Sequence, residues 1–160
     1  MSTARYNEPQ GLYFEDLVVG STYESNPRTV TEDLVLKFAA MTGDRNPLHV
    51  DEAFAAATPY GARIAHGLLG LSLGVGAFED QPMFDGTALA FLGIQEWTFA
   101  APIFLDDQIR TRMTIQDKRR SASDPTRGIV QRRLEILNQK DVVVQHGLAS
   151  IMLRARSDHD

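Results

Sequence analysis

The sequence predicts a single α+β domain in which the helices come first and hairpin-linked strands follow. Up to about residue 78, apolar residues recur every three to four positions, which is typical of helices with one buried face. From about residue 88 onward they alternate with polar residues, which is typical of half-buried strands. Helices and strands segregated in this way favour an antiparallel sheet over alternating βαβ units. With 160 residues, the chain suffices for one hydrophobic core and is short for two.

The helical half begins after a short entry strand at residues 22–25. Thr31 is a good N-cap and acidic residues follow it, so the first helix is expected to begin there. Gly43 is expected to end this helix in the left-handed conformation. Asp51 is placed to cap a second, short helix that runs to about Ala57.

The longest apolar segment, residues 67–78, predicts a helix that is buried on most sides. It is apolar nearly all round, which is the pattern of a helix surrounded by other elements. Gly70, Gly74 and Gly76 each cost about 1 kcal/mol relative to alanine in a helix. We therefore expect backbone from another element to pack closely against them. The segment is too short to span a bilayer.

Four strands are expected in the second half, linked as hairpins. A loop at residues 121–127 and a tight turn at residues 138–141 separate three of them. Gly93 lies inside the first strand and indicates a bulge. The strands are expected at residues 88–99, 109–116, 128–137 and 142–153.

Composition argues against several classes of function. The formal net charge of −5 and a pI near 5.3 argue against general nucleic-acid binding. The absence of cysteine excludes disulfides, thiolate metal sites and a cysteine nucleophile. Residues 1–10 are polar and are expected to form a flexible N-terminus, followed by one domain at residues 11–154 and a polar tail at residues 155–160. We expect a cytoplasmic protein with no nucleic-acid or membrane partner.

The most informative segment runs from residue 42 to residue 51. Asp44 and His49 lie five residues apart, and Pro47 between them disfavours regular helix. The two side chains can therefore face each other across a kinked loop. A carboxylate beside an imidazole can hold a water molecule and move its proton near neutral pH. The alternative is structural, with Asp44 capping a helix end and His49 satisfied within the loop.

Two motifs carry a resemblance to a known family. Gly-Asp-x-Asn-Pro-Leu-His at residues 43–49 is followed by Ile-Ala-His-Gly-Leu-Leu at residues 64–69. Together they closely resemble the MaoC-like dehydratases, also called (R)-specific enoyl-CoA hydratases, over roughly residues 10–154. The resemblance implies a hotdog fold, in which an antiparallel β-sheet wraps around a long central helix, and a homodimer or dimer of dimers. It also implies syn addition or removal of water across the α,β double bond of an acyl thioester.

Five residues of the two motifs are expected to form the site, although Gly67 can also serve only to permit a tight turn into the helix. Asp44 and His49 would bind one water molecule between them, with Asp44 accepting one of its hydrogens and His49 orienting or deprotonating it. Gly67 begins the long helix, where free amides favour negative charge, and is the expected donor to the thioester carbonyl. Asn46 and His66 would support the loop. No cofactor is implied, and coenzyme A, or acyl carrier protein, enters as part of the substrate.

The sequence contains residues of the types found in two further kinds of site. A metal site is not expected: His49, Asp51 and His66 are ligand types, but Asp51 is better used as a helix cap and no histidine pair has helical spacing. A basic cluster is a candidate contact for coenzyme A phosphates, with a solvated hairpin end as the alternative. The basic cluster consists of Lys118, Arg119, Arg120 and Arg127.

Two other functions stay open at this point. A hotdog thioesterase would attack the same carbonyl with water, and the fold alone does not separate the two reactions. The pairing of Asp44 and His49 on one loop favours the hydratase. The third interpretation is a non-catalytic thioester-binding subunit, against which the intact Asp44, Asn46, His49 and Gly67 argue. Phe91, Trp97 and Phe99 are expected in the core or an interface more than in an acyl pocket.

Overall fold

A computed structural model shows one antiparallel sheet packed around a central helix, and it describes residues 10–78 and 82–156. The helices are α1 (Glu32–Thr42), α2 (Pro47–Val50), α3 (Glu52–Ala56) and α4 (Gly67–Val75), with 3₁₀ turns at Phe14–Asp16 and Gly76–Phe78; the strands are β1 (Thr22–Glu24), β2 (Arg28–Thr29), β3 (Ala88–Phe99), β4 (Gln108–Arg120), β5 (Arg127–Leu137) and β6 (Val143–Arg154). The strand order is β1-β4-β5-β6-β3, and β2 adds a short pairing to β4. Every pairing is antiparallel. The predicted hotdog arrangement around α4 is confirmed.

The inner face of the sheet follows the period-two pattern of the sequence. Alternate residues of β4 from Ile109 to Ile115 are buried, and so are alternate residues of β5 from Gly128 to Ile136. This face packs against α4. The hydroxyl of Thr111 on β4 donates a hydrogen bond of 3.0 Å to the carbonyl oxygen of Gly74. This hydrogen bond joins the C-terminal part of α4 to the inner face of the sheet.

The glycines of α4 contact side chains of the sheet and not its backbone, so that expectation was wrong. A Cβ atom added at Gly70 would overlap the side-chain amide of Gln145, and one added at Gly74 would overlap the side chain of Ile136. Gly76 has open space around it. Inward-pointing side chains separate the helix from the backbone of the sheet, and those of Gln145 and Ile136 fill the space beside Gly70 and Gly74. These two glycines let the sheet close around α4.

The first helix begins and ends where its caps predict. The hydroxyl of Thr31 accepts a hydrogen bond from the N–H of Leu34, and Gly43 ends the helix with φ of 81°. The segment after it contains the short helix α2, contrary to the expected irregular loop. Pro47 is the first residue of α2, where the missing N–H has no intrahelical partner to lose and the fixed φ suits a helix. At the first position of a helix, proline therefore favours helix formation and does not break the helix.

The predicted bulge in β3 is confirmed. The pairing register between β3 and β6 shifts between Phe91 and Gly93, and two further irregularities flank it. β3 lies at the end of the strand order and, among the described strands, pairs with β6 alone. It therefore forms an edge of the sheet within one chain.

The limits of the domain are only partly described. The predicted flexible N-terminus lies outside the described residues except for residue 10, and so does the predicted tail beyond residue 156. Ala155 is buried, and the guanidinium of Arg156 forms an ion pair of 2.6 Å with Asp16. None of the described helices combines the length and the apolar character needed to cross a membrane.

Arg132 on β5 is a buried cation. It is 4% exposed, and within residues 10–78 and 82–156 its Nε and Nη2 atoms have no hydrogen-bond acceptor. Nη1 lies 3.9 Å from the sulfur of Met113, and the guanidinium lies 5.7 Å from the ring centre of Phe84. Burial lowers the pKa of Arg132 to about 10 because desolvation disfavours the charged form.

We expect Arg132→Met to stabilise the fold. The folded-state pKa lies below the unfolded one, so the charged guanidinium destabilises the fold fully below about pH 10, and this penalty falls as pH rises further. Removing it is expected to raise the free energy of unfolding at pH 7 by on the order of 1–3 kcal/mol, measured by urea denaturation. Arg133→Met, at an exposed position of the same strand, is the control and should stay within about 0.5 kcal/mol of the unsubstituted protein. A loss of stability in Arg132→Met would show that the charge is stabilising.

Candidate active site

A cavity of about 690 Å³ lies at the N-terminal end of α4. Most of its wall is apolar, and a few polar groups converge on it, which is the usual composition of a small-molecule site. Its lining residues are Phe38 and Thr42 of α1, Asp44, His49, Tyr60, residues 64–68, residues 99–103 and Gln145. The two motifs of the sequence therefore meet at one cavity.

Hydrogen bonds within the loop between α1 and α2 hold Asp44 in place. The N–H of Asp44 donates to the hydroxyl of Thr42 at 3.3 Å. A carboxylate oxygen of Asp44 accepts from the N–H of Asn46 at 3.3 Å. The side-chain oxygen of Asn46 accepts in turn from the N–H of Leu48 at 3.0 Å and so caps α2. Asn46 thus stabilises the loop through one hydrogen bond to Asp44 and one to Leu48.

The main chain sets the tautomer of His49. Its Nδ1 atom lies 2.8 Å from the carbonyl oxygen of Ile64. A carbonyl oxygen can only accept, so Nδ1 carries the hydrogen and donates it. In the neutral ring, Nε2 is then left with a lone pair. The half-buried ring lines the cavity, so His49 supplies a proton acceptor there.

His66 ties the start of α4 to the same loop. Its Nε2 atom donates to the main-chain carbonyl oxygen of Asp44 at 2.9 Å. Its ring centre lies 3.9 Å from that of His49 and 5.0 Å from that of Phe38. The side chain is 3% exposed, and within the described parts of the chain its Nδ1 atom has no hydrogen-bond partner. His66 therefore contacts both Asp44 and His49, and its supporting role stays a prediction.

The structure brings Asp44 and His49 together. One carboxylate oxygen of Asp44 and one nitrogen each of His49 and His66 lie within 4.8 Å of one another. Two hydrogen bonds of about 2.8 Å that meet at one water oxygen span about 4.5 Å. The 4.8 Å limit on their separation is compatible with one water molecule that bridges the carboxylate and the imidazole. Asp51 lies apart from them, because its carboxylate caps α3 by accepting from the N–H of Phe54 at 2.9 Å.

Gly67 is the first residue of α4 and forms part of the cavity wall. The N–H groups in the first turn of a helix have no intrahelical partner, and the helix dipole adds positive potential. A Cβ atom added at Gly67 would lie 2.8 Å from the ring of Phe99, so that ring packs directly against the helix start. The side-chain amide of Gln145 donates to the carbonyl oxygen of Gly67 at 3.1 Å.

Gln145 was not predicted as a site residue, and Phe99 lies at the cavity and not where it was expected. Gln145 is 2% exposed and links Gly67 to the indole N–H of Trp97, which donates to its side-chain oxygen at 3.3 Å. Phe99, expected in the core or an interface, lines the cavity with half its surface exposed. A polar residue inside the apolar strand β6 was the only signal for Gln145. Its partners lie in α4, β3 and β5, so its position at the cavity could not be predicted from the residues near it in the sequence.

The basic cluster does not reach this cavity within one chain. Arg127 pairs with Arg154 in the sheet, whereas Gln145 pairs with Ile136, nine residues further along β5. That distance is about 30 Å along the strand. Arg119 is exposed. The other members bind groups of the same chain: Lys118 the carbonyl of Phe14, Arg120 the carboxylate of Glu15 and Arg127 that of Asp124.

Comparison with known proteins decides the family. Residues 16–135 match the profile of the MaoC like domain. The chain belongs to the MaoC-like family. A 3-hydroxybutyryl-CoA dehydratase of Methylorubrum extorquens is 38% identical over 106 residues, which are 66% of the MaoC-like chain and 65% of that relative. The matched segment thus spans just under two thirds of the relative's own length.

Solved structures extend the likeness over nearly the whole chain. A monoamine oxidase regulatory protein of Archaeoglobus fulgidus superposes with a TM-score of 0.83 and 35% identity, covering 92% of this chain and 97% of that one. An (R)-hydratase of Pseudomonas aeruginosa superposes with a TM-score of 0.75 and 31% identity, covering 91% and 88%. The MaoC-like chain therefore shares its fold with proteins that bear different functional names, and its activity has to be argued from the site.

Proposed function

We propose that this MaoC-like protein reversibly adds water to a trans-2-enoyl thioester and forms the (3R)-3-hydroxyacyl thioester. The observation that carries the proposal is the meeting of the Asp44 carboxylate and the His49 imidazole at one cavity, within 4.8 Å. The similar proteins named 3-hydroxybutyryl-CoA dehydratase and (R)-hydratase support it. Coenzyme A enters as part of the substrate, and the proposed reaction uses no metal or redox cofactor. The proposed location is the cytoplasm, where coenzyme A thioesters are formed and consumed.

The geometry supports a separate role for each residue in the reaction. A water molecule between the two groups donates one hydrogen to the Asp44 carboxylate and the other to Nε2 of His49. As His49 takes a proton, the water oxygen bonds to C3 of the enoyl group and the π electrons move toward the thioester carbonyl. The N–H of Gly67 stabilises the enolate oxygen. The pair then returns one proton to C2 on the same face, so addition is syn, and dehydration follows the same steps in reverse.

A stereochemical assay tests the proposal. The purified protein is incubated with trans-2-butenoyl-CoA, loss of the conjugated enoyl absorbance is followed, and the 3-hydroxyacyl product is separated by chiral chromatography. We expect the (3R) product, by similarity to the (R)-hydratase. Because both reacting groups lie close together at one cavity, hydration in D₂O should place deuterium at C2 syn to the new hydroxyl. A (3S) product would contradict the proposed stereochemistry, and anti deuterium would contradict the proposed placement of the water molecule.

We propose that the functional unit is at least a homodimer that pairs through β3. No residue of this edge strand is fully buried within the chain. An apolar, exposed strand edge promotes association with another chain unless it is covered. A second copy of the same chain covers it symmetrically. The exposed large apolar side chains of β3 are Leu89, Phe91, Leu92, Ile94 and Phe99.

Light scattering at micromolar concentration is expected to give at least twice the chain mass of 17.8 kDa. Leu92→Lys should lower that mass or make the protein insoluble, because it places a charge at the centre of the proposed interface. Val142→Lys is the matched control: Val142 is an exposed apolar residue outside β3, and its substitution should leave the mass unchanged. A monomer mass for the unsubstituted protein would contradict the proposal.

We propose that the basic cluster contacts coenzyme A phosphates, although it is about 30 Å from the cavity along the strands of one chain. Replacing Arg119, Arg120 and Arg127 by alanine is then expected to raise KM several-fold for coenzyme A substrates, because phosphate-binding charges are lost. KM for pantetheine substrates, which lack the nucleotide phosphates, should stay unchanged. Equal effects on both substrates would favour the solvated hairpin end instead.

A further inference from the structure

We propose that Gln145 is a positioning residue for the N–H of Gly67, the group that binds the enolate oxygen in the proposed hydration. The inference rests on that proposed function. The side-chain amide of Gln145 donates to the carbonyl oxygen of Gly67 at 3.1 Å. Its side-chain oxygen accepts from the indole N–H of Trp97 at 3.3 Å. One glutamine on β6 thus connects β3 to the first residue of α4.

The two partners permit only one orientation of the Gln145 side chain. An indole N–H can only donate a hydrogen bond, and a main-chain carbonyl oxygen can only accept one. If the amide turned over, its oxygen would face the carbonyl of Gly67 and its nitrogen would face the N–H of Trp97, so both bonds would be lost. Gln145 is 2% exposed, and lost hydrogen bonds are costly at such a buried position. The amide is therefore held in one orientation.

The backbone of β3 is irregular at the point where it brings Trp97 to Gln145. The register between β3 and β6 shifts within residues 95–98, so Trp97 lies inside a bulge. Glu96 has φ of 54°, a left-handed conformation that is uncommon for a residue with a side chain. A Cβ atom added at Gly147 would lie 2.6 Å from the indole ring, so the ring occupies space that glycine leaves free. Bulges often re-aim a side chain beside an active site, and this one accompanies the bond from the indole to Gln145.

Gln145 also fills the space beside the first turns of α4. A Cβ atom added at Gly70 would overlap the side-chain nitrogen of Gln145. Helix ends fray, and the N–H groups of the first turn have no partner within the helix. The bond from Gln145 restrains Gly67, the residue that supplies the proposed N–H at the cavity wall. Because an oxyanion donor is effective when it is held in place before the reaction, this restraint contributes to kcat.

Gln145→Met tests this role, because methionine has a similar length and keeps the space filled but has no amide to donate. We expect kcat for hydration of trans-2-butenoyl-CoA to fall by about 10–100-fold while KM stays within about twofold, because only a transition-state interaction is weakened. Gln131→Met is the matched control. The amide of Gln131 on β5 donates to the side chain of Gln95 at 3.4 Å, and neither residue lines the cavity, so kcat should not change.

Gln145→Glu distinguishes the hydrogen bond from the packing. A protonated carboxyl group can donate to the carbonyl of Gly67, whereas an ionised one can only accept. We expect kcat of Gln145→Glu, divided by that of the unsubstituted protein at the same pH, to fall as pH rises and the carboxyl ionises. The same ratio for Gln145→Met should not depend on pH. Equal ratios for the two variants at every pH, in protein that circular dichroism shows to be folded, would overturn the role of the donated bond.

Trp97 is the only tryptophan of the chain, so its indole N–H gives one nuclear magnetic resonance signal that reports the link without an activity assay. We expect this signal to move upfield in Gln145→Met, where a weakly accepting sulfur replaces the amide oxygen, and to stay in place in Gln131→Met. An unchanged signal in Gln145→Met would overturn the link. Trp97→Phe removes the indole donor and should lower kcat severalfold, so it reports even if Gln145→Met fails to fold.

The outcomes separate the positioning role from the proposed function. Hydration by the unsubstituted protein together with an unchanged kcat in folded Gln145→Met would overturn the positioning role alone. A rise in KM with no loss of kcat would also overturn it, since Gln145 would then bind substrate and not position Gly67. Absence of hydration by the unsubstituted protein would contradict the proposed function and, with it, the positioning role.

Discussion

Asp44→Asn and His49→Ala are each expected to lower kcat/KM for enoyl-CoA hydration by a factor on the order of 10²–10⁴. Asp44→Asn keeps the size of the side chain but removes the negative charge that holds the water molecule and stabilises a protonated imidazole. His49→Ala removes the nitrogen that accepts the proton of water. Neither change deletes a large buried side chain, so the folded state should persist, as circular dichroism and thermal unfolding would show.

The double variant shows whether the two residues act on one water molecule. If they do, Asp44→Asn with His49→Ala should be scarcely less active than the weaker single variant, because losses within one catalytic unit are strongly non-additive. Asp51→Asn is the matched control: it alters a nearby carboxylate that caps α3, and asparagine caps equally well. We expect it to retain nearly full activity. Near-native hydration by folded Asp44→Asn protein would remove the basis of the proposed mechanism.

Gly67→Pro is expected to lower kcat by on the order of 10²–10³, which is the usual cost of losing one oxyanion donor. Gly67 is the first residue of α4, where proline is tolerated, and His66 before it has φ −60° and ψ 137°, an extended conformation compatible with a following proline. The helix should therefore form, and the loss should come from the missing N–H.

Gly67→Ala distinguishes the effect of losing the N–H group from the effect of displacing the ring of Phe99. Any side chain at position 67 presses on the ring of Phe99, which lies 2.8 Å from an added Cβ atom, so both variants displace that ring. Only proline also removes the N–H. We expect alanine to lose far less activity than proline, in steady-state assays of both variants. Equal losses would assign the effect to the cavity wall and not to an oxyanion donor.

The sequence predicted those parts of the fold that local chemistry determines. The cap at Thr31, the end at Gly43 and the cap at Asp51 are each set by one side chain or one backbone conformation within a few residues. The alternation along β4 follows from one face being buried. The buried helix α4 was predicted because its segment is apolar on nearly all sides. For the caps, the interacting groups lie within a few residues of each other. For β4 and α4, burial gives the same pattern whichever residues cover the buried face.

The parts that were wrong or missed depend on distant partners or on exact position. Pro47 was interpreted as a helix breaker, but at the first position of α2 it begins a helix. Gly70 was expected to meet backbone, but the side chain of Gln145, 75 residues later in the sequence, fills that space. The bond between His66 and the carbonyl of Asp44 joins residues 22 positions apart. Such contacts exist only once the sheet has closed around α4.

The carboxylate beside the two histidines shows the same limit. Spacing along the sequence groups His49 and His66 with Asp51, which stands two residues from His49. The structure uses Asp51 as a cap and places Asp44 beside both rings instead. Which carboxylate joins two histidines is decided by the path of the loop, and spacing alone does not give that path.

The most direct test of the hydratase assignment measures two products in one sample of the unsubstituted protein with trans-2-butenoyl-CoA. Enoyl absorbance reports hydration, and a thiol reagent reports release of free coenzyme A. We expect the enoyl band to fall to an equilibrium level while no thiol appears, because the water molecule held by Asp44 and His49 adds to C3. Release of thiol without hydration of the double bond would contradict the account and identify a thioesterase.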